Sequence, residues 1–546
     1  MAKSVHYNKD GTTTKAVAKA ADDSPLVAGF RKELKATFAT GLLATRAFRM
    51  KQLCAFRDML VSGRGELLGA LKADLGKNET EGWMMEVNQL EHEVQEAIDN
   101  LDAWMRPEKV GTNVCNVPGT SYVHSDPLGV CLVIGAWNYP VLLSLAPCVG
   151  AIAAGNGVVL KVPSDKYSGR TSEAIAALVG RCLDPKGIRV VRGDRRATTA
   201  VLEERWDHIF FTGGKTVGKM VAKAAAEHLC PTVLELGGKS PCVVDASADL
   251  DVSATRVCWG LFANAGQTCV RPDYLLVDAA VAEAFLAKLK ARIADFFGAD
   301  AKESPDYGRL VNERAFDRVA ALVEGARGRV VHGGACDRGA KYVEPTLVDF
   351  RLDRDAFEAS PLMADEIFGP VVPILRYERL EDALALVKLR EKPLSLYLFC
   401  EDAKVRARVQ WETTSGAFVV NDVITHLGNS ALPFGGVGES GMGAYHGHHS
   451  FKTFSHQKAV LYKTPYLDLP ARYPPYDDAK AQILAALQHP RYGPDRLVAL
   501  VPPALKKALA VTLGVLVVKN LAKGTTLGRE SSLILDFIKG RVAARR

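Results

Sequence analysis

The chain has 546 residues, 48% of them hydrophobic and 24% charged, with 47 Gly and 26 Pro. At roughly 100–200 residues per domain this is two or three globular domains, and the composition excludes wholesale disorder, a collagen-like repeat and a coiled coil. The net charge of +7 lies in the tail: residues 465–546 hold 13 Lys/Arg against 6 Asp/Glu, while residues 1–464 hold 56 against 56, so the body has no electrostatic bias toward nucleic acid.

In chain order, the first 25 residues lack the apolar core of a secretory signal, carry no Arg, and read as a disordered extension. The 11 cysteines form no CxxC pair and are irregularly spaced, which argues against a disulfide framework or zinc site and for a reducing compartment. From Pro127 to Leu160 no residue is charged, a length that suggests a membrane span. The internal pattern says otherwise. Leu128–Ile134 is a short β-forming run, Gly135–Pro140 a turn signal, Val141–Ala154 a helix-length stretch stopped by Gly155-Asn-Gly157, and Val158–Val162 a second apolar run. That is a βαβ unit whose strands are buried on both faces. The pattern repeats with strands at Ile188–Val191, Asp207–Phe211 and Thr232–Leu236 and a helix over about Thr216–His228. The expected fold is therefore α/β with a doubly wound parallel sheet, which binds ligands beyond the carboxyl ends of its strands.

Three glycine motifs need weighing. Gly213–Met220 (GGKTVGKM) nearly fits a nucleotide-hydrolase phosphate loop, but Met220 stands where that loop needs a Ser or Thr for magnesium, so ATPase chemistry is disfavoured. A strand, a Gly turn and a helix N-terminus still suit a pyrophosphate, the plain alternative being an ordinary βα turn. Gly436–Gly441 fits GxGxxG without a following amphipathic helix and reads as a tight loop, and Gly237-Gly238 beside Glu235 permits close backbone approach. Cys131, Cys148, Cys242 and Cys258 sit in apolar runs as small hydrophobes, whereas Cys269 closes a polar, turn-forming stretch, Asn264-Ala-Gly-Gln-Thr-Cys269. Glu235 interrupts the apolar run Val233–Leu236: burial would raise it toward the general-base range, and a solvent-facing strand edge is the alternative. Asn138 can donate its amide to an oxyanion or cap the helix that follows. The HGHH run at 446–449, with His456 nearby, lacks metal-ligand spacing.

Seven runs then occur in order: PLGVCLVIGAWNYP (127–140), GAIAAGNGVVLK (150–161), FTGGKTVGK (211–219), LELGGKSP (234–241), GQTC (266–269), EIFGPVVPI (366–374) and PFGGVGESGMGAYHGHHSF (433–451). Over about residues 30–465 the chain closely resembles the aldehyde dehydrogenase superfamily. The WNYP loop, AAAEHLCPTVLELGGKSPC and RPDYLL resemble its class 3, or fatty aldehyde dehydrogenase, branch. The resemblance implies an aldehyde-dehydrogenase-like fold: a Rossmann-type cofactor domain, an α/β catalytic domain and a small β oligomerisation arm. It implies that Cys269 attacks an aldehyde carbonyl, that the Asn138 amide and the Cys269 N–H stabilise the oxyanion, and that Glu235 activates the water that hydrolyses the thioester. It further implies that Lys161 bonds the adenosine ribose, Gly213 to Gly218 cover the pyrophosphate, Glu366 and Phe368 hold the nicotinamide ribose, Ile134 and Trp137 line the cofactor site, and Tyr139 and Thr268 touch substrate. No metal is implied.

One departure bears on the cofactor. Relatives place an acidic residue three positions after the lysine, whereas here Ser164 stands there and Asp165 comes one place late. A serine neither demands a free 2′-hydroxyl nor repels a 2′-phosphate, so NAD with NADP also accepted is expected.

The expected domains are a disordered extension over 1–29, the NAD(P)-binding domain over 30–234 with arm strands near 107–126, the catalytic domain over 235–420, a return through the cofactor domain and arm over 421–464, and a basic tail over 465–546. The arm implies a homodimer. In the tail, Ala504–Ala522 has an uncharged centre, Ala508–Val518, of 11 residues. As a helix of ~16 Å it is too short to span a bilayer but can lie at an anionic membrane surface beside its lysines and arginines, the alternative being a helix packed on the body. The expected setting is cytoplasmic, peripheral to an intracellular membrane, with a medium- or long-chain aliphatic or an aromatic aldehyde as substrate. Rival readings are an acyl-thioester reductase using the same cysteine and a non-catalytic scaffold.

Overall fold

The computed structural model describes residues 17–19, 24–466 and 468–488. By contacts these fall into two units: one takes the residues up to Pro107 and from His124 to Lys458, the other those from Glu108 to Val123 and from Ala459 onward. The first unit carries two seven-stranded sheets.

The first sheet has the order Val17–Lys19, Ile188–Arg192, Gly157–Lys161, Val130–Ile134, His208–Gly213, Thr232–Leu236, Gly441–Met442. All neighbours are parallel except Gly441–Met442, which runs antiparallel to Thr232–Leu236. Every residue of Val130–Ile134 and of Gly157–Lys161 is buried, as expected of parallel strands covered on both faces. Between them the helix Pro140–Ala154 is buried over all 15 residues. Pro140 fits its first turn, and Gly155, at φ +92°, ends it in the left-handed region. The uncharged stretch from Pro127 is thus strand, helix and strand. Chain progression reverses beside Val130–Ile134, so the loops leaving Ile134 and Gly213 flank the crevice at the topological switch point.

The second sheet has the order Val330–His332, Thr346–Asp349, Val371–Tyr377, Tyr274–Asp278, Pro241–Val244, Ser395–Phe399, Ala417–Val420, parallel apart from its first pair. A three-stranded sheet joins Ser455–Tyr462, Thr120–Pro127 and Glu108–Val110 in that order.

Several boundaries differ from the sequence reading. Val17–Lys19 pairs with Ile188–Arg192, and a helix runs over Ser24–Ala39, so the fold takes in residues assigned to a disordered extension. A three-residue edge strand has no readable periodicity, and its register comes from its neighbour. Gly441–Met442 belongs to the first sheet rather than to an arm, and Gly447–Thr453 forms a short helix where no amphipathic helix was expected. The expected helix at 504–522, the rest of the tail from residue 489, residues 1–16 and residues 20–23 lie outside the described residues. Among the described residues no helix is long and apolar enough to cross a membrane.

Candidate active site

The crevice at the switch point opens into a cavity of about 930 Å³. Ile134, Trp137, Asn138, Lys161, Gly213, Glu235, Cys269, Glu366 and Phe368 all line it. Side chains separated by more than 230 positions are thus brought to one wall. Gly218 does not line it. A Cβ there would come within 2.7 Å of Leu236, so this glycine lets the helix Lys215–Ala226 lie close on the adjacent strand. A second cavity, of about 220 Å³, is lined by Met84, Met85, Leu142, Trp259, Ile424 and Leu427 among others, with Tyr139 and Thr268 on its wall and no Lys, Arg, Asp or Glu. Among the described residues, Cys269 alone is common to the linings of the two.

Cys269 follows the helix Leu250–Phe262 through three consecutive left-handed residues, Asn264 at φ +52°, Ala265 at +51° and Gly266 at +72°. Gln267, fully buried, fixes this turn: its Nε2 donates to the Asn264 and Arg309 carbonyls, both at 3.0 Å, and its Oε1 accepts from the Val311 N–H at 2.9 Å. The Asn138 Nδ2 donates to the Gln267 carbonyl at 3.0 Å, which leaves its second N–H for another acceptor. Asn138 does not cap the helix Pro140–Ala154, whose first free amides are taken by the Glu86 carboxylate. Burial pushes the Cys269 thiol well above the usual range, and the Glu366 and Glu235 carboxylates add to the effect.

Glu235 is 3% exposed, and neither carboxylate oxygen has a hydrogen-bond partner. It is not the solvent-facing edge residue of the alternative reading, because its strand lies between His208–Gly213 and Gly441–Met442. Burial alone drives its pKa well above the carboxylate range. Such a group is costly to keep unless it is used.

At the far end of the larger cavity the Lys161 ammonium donates to the Val162 carbonyl at 2.6 Å and the Gly193 carbonyl at 3.0 Å. Burial lowers its pKa to about 8, against the pull of Asp165 and Asp194. Ser164 lines the cavity and caps the helix Asp165–Cys182, its Oγ accepting from the Lys166 N–H at 3.4 Å. Asp165 instead pairs with Arg192 at 3.3 Å. Lys166 and Arg195 also face this end. Trp137 stacks on Tyr167 at 5.8 Å and meets Phe368 edge-on at 5.4 Å. The Glu366 carboxylate lies so close to Gly237 that a Cβ there would fall 2.0 Å from its Oε2. Burial, with Asp273 next, raises the Glu366 pKa. The cavity therefore offers a buried ammonium, a glycine turn at a helix start, aromatic rings and a carboxylate near the thiol, a set that fits a dinucleotide.

The Tyr139 hydroxyl and the Thr268 Oγ1 are 2.6 Å apart on the smaller cavity's wall. The methionines, Trp259 and Leu427 that shape this cavity were not identified from sequence. They lie in separate segments, and apolar residues in helices read as core. The four histidines do not converge: His446 is buried, its pKa lowered to about 3 by burial, and His448 stacks on Trp104 at 5.5 Å. Among the described residues no group of three or more His, Cys, Asp and Glu is placed to hold a metal ion.

Comparison with known proteins agrees with this geometry. Residues 16–460 match the profile of the aldehyde dehydrogenase family. The rat protein named aldehyde dehydrogenase, dimeric NADP-preferring, is 46% identical over 446 residues, 81% of this chain and 96% of that one. Aldehyde dehydrogenase family 3 member A2 of Pongo abelii is 42% identical over 451 residues, 82% of this chain and 91% of its own. The solved substrate-bound state of Staphylococcus aureus AldH superposes with a TM-score of 0.81 at 39% identity, covering 84% of this chain and 99% of that one. With a thiol set where a dinucleotide-shaped cleft meets an apolar pocket, and with relatives matched over nearly their whole lengths, the chain belongs to the aldehyde dehydrogenase family, in its class 3 branch.

Proposed function

We propose that this chain oxidises apolar aldehydes to carboxylic acids with a nicotinamide dinucleotide, NAD or NADP, as oxidant. The observation that carries the reading is the position of Cys269, which among the described residues alone lines both a dinucleotide-sized cavity bearing charged side chains and an uncharged apolar one. An aldehyde entering the apolar cavity presents its carbonyl carbon to the sulfur. Burial holds the thiol protonated, so its proton passes to solvent before the sulfur attacks as the thiolate, while the unpartnered Glu235 carboxylate on the same cavity wall is kept for the later hydrolytic step. The Cys269 sulfur bonds to the carbonyl carbon, and the oxygen takes the negative charge of a tetrahedral adduct. The free N–H of the Asn138 amide and the Cys269 backbone N–H receive that charge. Lys161, the Gly213 turn, Trp137, Phe368 and Glu366 would hold the dinucleotide, which when bound would supply the two-electron acceptor that turns the adduct into a thioester on Cys269. Glu235 then removes a proton from water, the hydroxyl adds to the thioester carbon, and the carboxylic acid leaves as the sulfur is released.

Glu235 also separates this reading from acyl-thioester reduction, which has no use for a hydrolytic base. Acceptance of NADP is supported by Ser164 at the ribose end, by Asp165 being tied to Arg192, and by the printed name of the rat relative. A homodimer is supported by that same name, and association with an anionic membrane surface by the basic tail alone.

The test is oxidation of unbranched aldehydes from two to sixteen carbons, followed as reduced dinucleotide at 340 nm, with C269A in parallel. Turnover is expected to favour the longer, apolar members, and C269A to lose it. A C269A protein that turns over normally would sink the assignment.

A further inference from the structure

Two buried side chains outside both cavities hold the oxyanion loop. Lys77 and Glu86 form an ion pair at 2.5 Å, with side chains 1% and 0% exposed. Lys77 also donates to the Asn138 carbonyl at 2.9 Å, and its ammonium lies 3.9 Å from the centroid of the Tyr139 ring. The other Glu86 oxygen accepts from the Val141 N–H at 2.8 Å and the Leu142 N–H at 3.3 Å. From the same segment, a Glu81 oxygen accepts from the Asn264 N–H at 2.9 Å, and Asn264 in turn donates to the Asn138 carbonyl at 2.8 Å. Residues 77–86 thus grip both the loop that carries Asn138 and the turn that leads to Cys269.

The local backbone is built for this grip. Gly76, at φ +66°, ends the helix Arg46–Leu75 and turns the chain so that Lys77 points inward. Trp83–Val87 is a single π-helical turn between the helices Glu79–Gly82 and Asn88–Trp104. Such wide turns are rare, and are frequently found at functional sites. A buried ion pair is weak evidence for stability, because the desolvation of two charges offsets their attraction. What it fixes is the loop: it makes three hydrogen bonds to the backbone of residues 138–142.

We propose that the Lys77–Glu86 pair is the positioning device for the Asn138 amide, setting the oxyanion donor against Cys269 without touching substrate or dinucleotide. This rests on the reading of Asn138 as that donor. The two residues are positioning residues, and their loss acts through Asn138.

The test is a cycle of variants assayed with hexanal and NADP. N138A is expected to lower kcat about 100-fold, as removal of one oxyanion donor does. K77M/E86Q removes both charges together, which avoids leaving one uncompensated, and is expected to lower kcat about tenfold or more through misplacement of the amide. Its affinity for NADPH, read by fluorescence, should stay within about twofold of the parent. N138A added to K77M/E86Q should cost much less than N138A alone, the mark of residues acting as one unit. A merely structural pair would lower the unfolding temperature, leave kcat of the folded protein intact and show independent effects, and that result overturns the proposal. An N138A protein with parental kcat would instead remove the reading beneath it. If K77M/E86Q does not fold, E86D keeps the charge but draws the carboxylate back by one carbon. The same cycle with N138A then reads the coupling, and independence there overturns the proposal equally.

Discussion

Glu235 sits where a carboxylate is hardest to keep, fully enclosed and without a donor for either oxygen. Its raised pKa sets a direction: the working form is the carboxylate, so kcat rises as pH rises through that pKa and falls below it. In E235Q the thioester still forms but is not hydrolysed. Rapid mixing should give a burst of reduced dinucleotide close to one per site, then turnover slower by about 100-fold or more, with the acid limb of the pH profile gone. An E235Q enzyme with the parental profile would show that another group provides the base. Ser164 is the second residue whose chemistry can be read directly, since it faces the end of the large cavity that holds Lys161. Placing a carboxylate there in S164E should lower kcat/KM for NADP relative to NAD by about tenfold or more, because the 2′-phosphate meets a like charge. A parental enzyme preferring NAD by roughly several hundredfold would refute its tolerance of NADP.

At the scale of elements, the turn before Cys269 carries the most constraint. Gly266 has φ +72°, and a Cβ on it would come 2.5 Å from the Gly369 carbonyl oxygen. G266A therefore adds a left-handed side chain and a backbone clash, and should cost about 2–3 kcal/mol in urea unfolding together with most of the activity. Full activity and stability would mean that the loop repacks freely. The legibility of elements divides along physical lines. Thr232–Leu236 was read end to end, and Val130–Ile134 and Gly157–Lys161 within two residues, because strands buried on both faces are written as largely apolar runs bounded by Gly or Pro. Gly441–Met442 could not be read, since its strand character comes wholly from pairing with Leu234 and Glu235. At the site, Cys269, Glu235 and Asn138 stood out as polar residues against apolar or turn-forming neighbours. Lys77 and Glu86 did not, because their partners lie about 55–61 positions away and nothing local marks a charge as buried.

For the whole molecule, charge is split between a neutral body and a basic tail. Both cavities are lined by residues between Met84 and His446, all within the first unit. A chain cut at residue 490 should therefore retain parental kcat toward hexanal in solution. If the tail meets membranes, only the full-length chain should sediment with phosphatidylserine vesicles, and it should be released as salt rises past ~0.15 M toward ~1 M, where screening shortens to about 3 Å. Equal sedimentation of the two chains would remove the membrane role. The meeting of two cavities at one sulfur carries a last consequence. Because the two linings share only that residue among those described, each can be recut alone. Widening the apolar one at Met84 or Trp259 should move the preferred chain length while leaving the choice of carrier as it was, which makes this scaffold two independently tunable locks around a single bolt.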